Sequence, residues 1–471
     1  MSEVSLLKQL ARSLMTGQPV AASDPHRLHW HLAPPVGLLN DPNGFIQANG
    51  RYHLFYQWNP LACRHGAKWW GHWSSADLVH WQHEPVALLP TEEYEINGCY
   101  SGSAVQHDGK ITLIYTGNVK YADGSRTAYQ CLAEELPDGT YRKLGPVIPL
   151  PEGYTGHVRD PKVWQHDGHW YMVLAAQSAE LTGKVLFYRS ADLTEWQLLG
   201  EIAGAHLNGL KEFGYMWECP DLFPLDGQDV LICCPQGLAA EQYRYLNLYQ
   251  CGYFTGKLDY RQAEFPHGEF RELDLGFEFY APQTTETADG RRLMFGWLGL
   301  PDDNELVQPT IKYGWVNSMT CPRELSLRDG ILCQQPVKEL QQLRQGTGTD
   351  WQGSAEQAPE LAAVSAELLI DVSGTFSLSL RDEATLDWDG ECLILTRRNW
   401  RTGEQESRYW FGSLRSLQLL LDSSSLELFI NDGEACMTAR YFPDPEKQTL
   451  HFQGAGTVSI HHWLLSACVI E

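Results

Sequence analysis

The sequence predicts an all-β protein, a five-bladed β-propeller followed by a C-terminal β-sandwich. Three observations predict it: a turn-and-strand unit that returns about every 59 residues, a seven-residue echo two units apart, and a change of pattern after about residue 330.

Residues 1–25 are expected to form an N-terminal helical segment. Leu6, Leu7, Leu10 and Leu14 recur at helical spacing, and Lys8 and Arg12 interrupt the apolar run. No secretory cleavage pattern follows, so the segment does not read as a signal peptide.

The propeller is placed over residues 26–330. Asn49-Gly50, Asp108-Gly109, Asp167-Gly168, Asp226-Gly227 and Asp289-Gly290 each precede an apolar strand, at intervals of 59, 59, 59 and 63 residues. Such dipeptides suit type I′ hairpin turns, in which both central residues take positive φ. Ser75–Trp81 (SADLVHW) returns as Ser190–Trp196 (SADLTEW), 115 residues later. A unit of this length holds four short strands with their turns, one blade of a propeller. A sandwich or barrel with coincidental turns would not keep a fixed period.

Residues 331–349 are expected to form a linker helix, because Pro336 and Gly346 bracket Val337, Leu340 and Leu343 at helical spacing. Residues 350–471 then show short alternating strands and a further hairpin at Asn431-Asp432-Gly433, which predict the sandwich.

Composition narrows the function. A net charge of −24 disfavours nucleic acid or anionic lipid as a partner. No stretch is apolar enough to span a membrane. The 12 cysteines form no C-x-x-C pair, which suits reduced thiols in a cytoplasmic protein. The 17 histidines show no metal-binding spacing, so neither a metal nor a cofactor is expected. The many aromatic rings suit a sugar ligand, although a β-rich core accounts for most of them.

The acidic residues point to chemistry. Reading back from each turn, the equivalent places hold Asn40-Asp41-Pro42, Tyr100-Ser101-Gly102, Arg159-Asp160-Pro161, Glu218-Cys219-Pro220 and Tyr280-Ala281-Pro282. Any one of these acids reads as a turn or strand-start residue. Three in register on innermost strands converge on one channel, where mutual repulsion costs stability unless the charges are used. Glu218 stands one place further from its proline than Asp41 and Asp160 from theirs, which should aim it differently. Paired carboxylates flanking a scissile bond are the usual apparatus of glycoside hydrolysis.

At these residues the chain resembles glycoside hydrolase family 32, the invertase and fructanase family of β-fructofuranosidases. Leu39–Gly44 (LNDPNG), Arg159–Pro161 and Glu218–Pro220 match its three acidic motifs. Phe55–Pro60, Trp70–His72, Ser101–Ala104, Tyr280–Gln283 and Pro322–Glu324 also fit. The resemblance implies a five-bladed propeller with a sandwich. It implies Asp41 as nucleophile, Glu218 as acid/base and Asp160 as transition-state stabiliser. It also implies sugar contacts from Asn40, Gln57, Tyr100, Ser101 and Arg159, and from His65, which stands where secreted members often carry tryptophan. The stretch Tyr115–Ala133, with the missing signal peptide, is similar to bacterial sucrose-6-phosphate hydrolases.

The expected reaction is a retaining cleavage of sucrose 6-phosphate or sucrose that releases fructose. Arg159 is expected to keep Asp160 ionised, and Arg64, Lys68, Arg126 and Lys211 are candidates for holding a phosphate. The alternatives are an invertase or fructan β-fructosidase acting on unphosphorylated sugars, a fructosyl transferase, or a non-catalytic sugar-binding propeller. A homodimer contact through the C-terminal domain is left open.

Overall fold

The computed structural model describes residues 2–468; Met1 and residues 469–471, the outer ends of the first and last expected segments, lie outside it. The chain is nearly all β, a propeller followed by a sandwich, with one α-helix at the start (Glu3–Ala22). Ser2 caps that helix through its hydroxyl, and Leu6 and Leu10 are buried against the first sheet's core.

Five sheets occupy the N-terminal two thirds, antiparallel except where Trp315–Val316 pairs in parallel with the first strand of the first sheet. Each begins with a strand near the axis: Gly37–Ala48, Cys99–His107, Tyr154–His166, Met216–Leu225 and Tyr280–Glu286. These inner strands contact one another in cyclic order, the last returning to the first. Four of the repeated turns have both residues at positive φ: Asn49-Gly50, Asp108-Gly109, Asp167-Gly168 and Asp226-Gly227. The fifth differs. Gly290 alone is left-handed there, and residues 287–291 make a longer loop in which Thr287 and Arg291 exchange hydrogen bonds. The side-chain bonding between Thr287, Asp289 and Arg291 favours that loop over a two-residue turn.

The seven-residue echo has a local cause. Ser75 Oγ accepts from the N–H of Asp77 and Leu78, and Asp77 accepts from Val79 and His80. Ser190 and Asp192 repeat these bonds, and Trp81 and Trp196 each donate to the carbonyl three residues earlier.

The segment expected as a linker helix is not one. Ile331–Pro336 is a strand paired with Arg323–Arg328 in the fifth sheet, joined by the turn Asp329-Gly330, and only Lys338–Leu343 turns, as a 3-10 helix. The Asp-Gly turn pairs Ile331–Pro336 into the sheet, and the spacing of Leu340 and Leu343 is met by the short 3-10 helix that follows. Two six-stranded sheets follow and face each other across Leu368, Ile370, Leu378, Leu386, Leu395, Leu419 and Leu428. Their alternating burial is that of sheets packed on one face.

The junction between propeller and sandwich is ionic and buried. Asp422 accepts from the backbone of His29 and Trp30 and from the rings of His29 and His31. His31 reaches Asp422 through Nδ1 (3.0 Å) and Glu427 through Nε2 (2.7 Å). An imidazole serves two carboxylates only as the imidazolium, with both nitrogens donating. Arg323 joins Glu427 to Asp274, and Arg397 grips Glu278 with both terminal nitrogens.

Burial works against the charges of Asp422 and Glu427, but His31 and their other partners hold both pKa values below the ordinary 3.8 and 4.5. Burial likewise opposes the charge on His31, and its two carboxylate partners raise its pKa above 6.5 nonetheless. The carboxylates therefore contribute stability that is present above about pH 4 and lost as pH falls through their lower folded values. His31 contributes stability that is present below pH 6.5 and lost as pH rises through its raised value. We expect stability to peak between about pH 4.5 and 6.5. Asp422→Asn should cost about 3–5 kcal/mol, because it leaves a buried cation short of its partner. Urea unfolding across pH checks both; a flat pH profile or a loss below 1 kcal/mol would contradict this account.

Candidate active site

The site is built by one irregularity repeated five times. In each inner strand the pairing register slips where the acidic motif or its counterpart stands: at Leu39/Pro42, Tyr100/Gly102, between Arg159 and Lys162, at Glu218/Asp221 and at Tyr280/Gln283. Such bulges re-aim side chains and recur beside active sites. Asp160, Cys219 and Ala281 hold positive φ (66°, 50° and 49°), a conformation that non-glycine residues rarely take.

The result is three tiers around the axis. Pro42, Gly102, Pro161, Pro220 and Pro282 line a closed void of about 10 Å³. Ser101 and Asp160 sit between that void and an open cavity of about 580 Å³, which Asp41 also lines. Asn40, Tyr100, Arg159, Glu218 and Tyr280 line the cavity from the outermost tier. Glu218 thus differs from Asp41 and Asp160 by a whole tier, and Cys219 takes the place in its strand that those two hold in theirs. Ten alternating side chains give one site with two depths.

The sequence-predicted residues meet there. Asn40, Asp41, Gln57, His65, Tyr100, Ser101, Arg159, Asp160 and Glu218 all line the cavity. Asp41 accepts from Ser101 Oγ at 2.5 Å and from Asn40 Nδ2 at 3.1 Å. Asp160 accepts from the N–H of Cys219 at 3.0 Å. Cys219 Sγ lies 3.6 Å from Asp41 and 3.5 Å from Asp160. Gln57 donates to the Cys99 carbonyl, and Tyr100 receives the Trp70 indole on its own carbonyl.

Arg159 favours the ionised form of Asp160 through its charge, as expected, but spends its hydrogen bonds elsewhere. Its Nε and Nη2 both reach Glu218 Oε1, at 2.9 and 2.6 Å. The tier explains it: Arg159 and Glu218 share the outer level, one strand apart. Glu218 Oε2 accepts from Gln236 and from the Tyr280 hydroxyl, each at 2.7 Å. Gln236, Lys120, Tyr249 and Trp297 also line the cavity. Sequence reasoning missed them because they stand outside the inner strands, where no motif marks them. Tyr280 carried a signal, its register with Glu218.

The phosphate candidates separate. Arg64 and Lys211 are exposed and do not line the cavity. Lys68 is buried, with its ammonium spent on Asn40 and His65. Arg126 does not line the cavity either and donates to Asn118, but its guanidinium stands beside Tyr100, His157 and Arg159, next to the cavity wall.

Burial raises the pKa of Asp41, with Glu218 adding to the rise against the bonds from Ser101 and Asn40. Burial also pushes Asp160 up, to about 7, with Glu218 and Asp41 adding and Arg159 opposing. If ionised Asp41 and Asp160 are both required, the acidic limb of kcat/KM lies well above pH 4, the ordinary carboxylate range. A profile flat down to pH 4.5 would contradict that.

Residues 31–336 match the family profile described as Glycosyl hydrolases family 32 N-terminal domain, and residues 339–464 match Glycosyl hydrolases family 32 C terminal. A sucrose-6-phosphate hydrolase of Klebsiella pneumoniae is 55% identical, with both chains covered completely. The structure of a sucrose-6-phosphate hydrolase from Lactobacillus gasseri superposes with a TM-score of 0.90 at 34% identity, over 98% of this chain and 97% of that one. A Bombyx mori family 32 β-fructofuranosidase superposes with a TM-score of 0.86 at 33% identity, over 99% of each chain.

Proposed function

The chain belongs to glycosyl hydrolases family 32, and from that premise we propose that it hydrolyses the β-fructofuranosyl bond of sucrose 6-phosphate, and of sucrose, by a retaining double displacement. The observation that carries the reading is the two-depth arrangement of Asp41, Asp160 and Glu218 on one cavity. The inner strands in cyclic contact support a ring of five blades over residues 26–330, with the sandwich beginning near residue 350.

Asp41, oriented by Ser101 and Asn40, attacks the anomeric carbon of the fructosyl unit. Glu218 gives a proton to the departing glycosidic oxygen, and the bond to the glucosyl unit breaks. Water then adds to the fructosyl-enzyme as Glu218 takes its proton back, releasing fructose and restoring Asp41. Asp160, held by the Cys219 N–H, faces the positive charge that develops on the sugar ring. Its ionised form is favoured as that charge appears.

A cationic corner supports the phosphorylated substrate. The guanidiniums of Arg126 and Arg159 converge on one ring nitrogen of His157, at 3.2 and 3.0 Å. Burial, Arg159 and Arg126 depress the pKa of His157 to about 4, and Lys120 adds to the effect from the cavity wall. Such a concentration of positive charge in a chain of net −24 is the complement of a phosphate dianion. The preference for a phosphorylated sugar in turn suits a cytoplasmic enzyme. No helix among the described residues is long and apolar enough to cross a membrane.

Two experiments test this. Arg126→Gln should raise KM for sucrose 6-phosphate about tenfold, the loss of one charge-assisted pair, and leave that for sucrose within about twofold; parallel changes would remove the phosphate role. Glu218→Gln should lose about 10²–10⁴-fold in kcat on sucrose and much less on a fructoside whose leaving group needs no proton. Equal losses on both would refute the acid role.

A further inference from the structure

A chain of polar side chains, buried at Asn399, Glu305, Lys68 and Asn40, runs from the sandwich to Asp41. In the sandwich loop after Arg398, Asn399 Nδ2 and Arg401 Nε donate to Asn304 Oδ1 at 3.2 and 3.1 Å, and the Trp400 indole donates to the Asn304 carbonyl at 2.9 Å. Glu305, the next residue, is buried and accepts from Asn317 at 2.7 Å. Its other oxygen lies 2.8 Å from His65 Nε2. Lys68 Nζ is 2.9 Å from His65 Nδ1 and 2.6 Å from Asn40 Oδ1, and Asn40 Nδ2 reaches Asp41.

The chemistry gives this chain a single direction. An ammonium only donates, so His65 must accept at Nδ1 and donate from Nε2 to the Glu305 carboxylate. For the same reason Asn40 must turn its carbonyl to Lys68 and its amide N–H to Asp41. Asn317 closes the frame by donating also to the Leu39 carbonyl, two residues before Asp41.

We propose that Lys68 is a positioning residue for Asp41, acting through Asn40, and that the sandwich loop Asn399–Arg401 holds it in place through Asn304, Glu305 and His65. The proposal rests on reading Asp41 as the nucleophile. It gives His65 an orienting task in the pocket wall and gives the C-terminal domain a share in catalysis. The titratable groups facing Lys68 are Asp41 on the inner strand, His65 on its own loop and Glu305 on the turn from the fifth sheet. Burial lowers its pKa to about 8, against the pull of Glu305 and Asp41, so it is charged at neutral pH.

The test measures kcat, KM and the pH profile of kcat/KM on sucrose for the full-length enzyme. Lys68→Met should lower kcat about 10–100-fold with KM within about threefold, and should move the acidic limb up by about one pH unit, since a nearby cation favours the ionised carboxylate. Lys68→Arg keeps the charge and should leave the limb in place. Should Lys68→Met fail to fold, Lys68→Gln keeps a donor without the charge and should show the same upward limb. An unmoved limb with kcat within twofold of the parent overturns the proposal. Trp400→Phe should lower kcat about two- to fivefold at unchanged KM, a fraction of a hydrogen bond's net worth transmitted at a distance; unchanged kcat removes the sandwich loop from the chain. Asp41→Asn separates the two readings. If it is inactive while the Lys68 variants behave as the parent, only this inference fails; if it stays active, the nucleophile assignment fails first.

Discussion

Carboxylates gathered on one axis repel, and the rest of this site is arranged around that repulsion. Asp41, Asp160 and Glu218 are kept in place by donors aimed at each: a hydroxyl and an amide, a backbone N–H, and a guanidinium with a phenol and an amide. The nearest full positive charges are set on opposite sides, Arg159 against Glu218 and Lys68 behind Asn40. In a low-dielectric cavity these few interactions count for more than the protein's overall negative charge. They explain why so acidic a chain can present a locally cationic wall to its substrate.

The repeat itself was legible because Asn-Gly and Asp-Gly turns need positive φ at both residues and thereby announce hairpins. It failed where side chains supplied another solution, at the loop around Asp289, and the linker reading missed the strand that Asp329-Gly330 turns back at Ile331–Pro336. The register of Asp41 and Asp160 could be read from the residues before each proline. The tier of Glu218 could be anticipated from its one-place offset, but not the bulge that produces it, because a bulge is a property of two paired strands. The help Arg159 gives to ionised Asp160 followed from their adjacency, but its bonds to Glu218 did not, because alternation along a strand sends neighbours to different places. Lys120, Gln236 and Glu305 reach the cavity or its back wall from other elements, and only the closed ring brings them there.

The ionic junction between the two domains follows a different logic. Arg323, Arg397 and Arg440 are buried beside Asp274, Glu278 and Glu427 with nearly every donor occupied. Apolar contacts through Leu420, Phe429 and Cys436 also join the two domains, with less demand on geometry. Ion pairs of this kind allow one docking angle, since any other leaves charges stranded. That specificity is what a polar chain from the sandwich loop toward the pocket requires, because its links tolerate only small displacements.

The alternation of the inner strands has a consequence for how such an enzyme can diversify. On the proposed mechanism, exchanging Tyr100 alters what the cavity greets, whereas exchanging Asp41, Asp160 or Glu218, or the Arg159 and Tyr280 that hold Glu218, alters what it can do to its guest. The scaffold therefore stores specificity and reactivity as neighbouring letters in the same five words. Where the two meet, as at Arg159 beside Glu218, respelling one also rewrites the other.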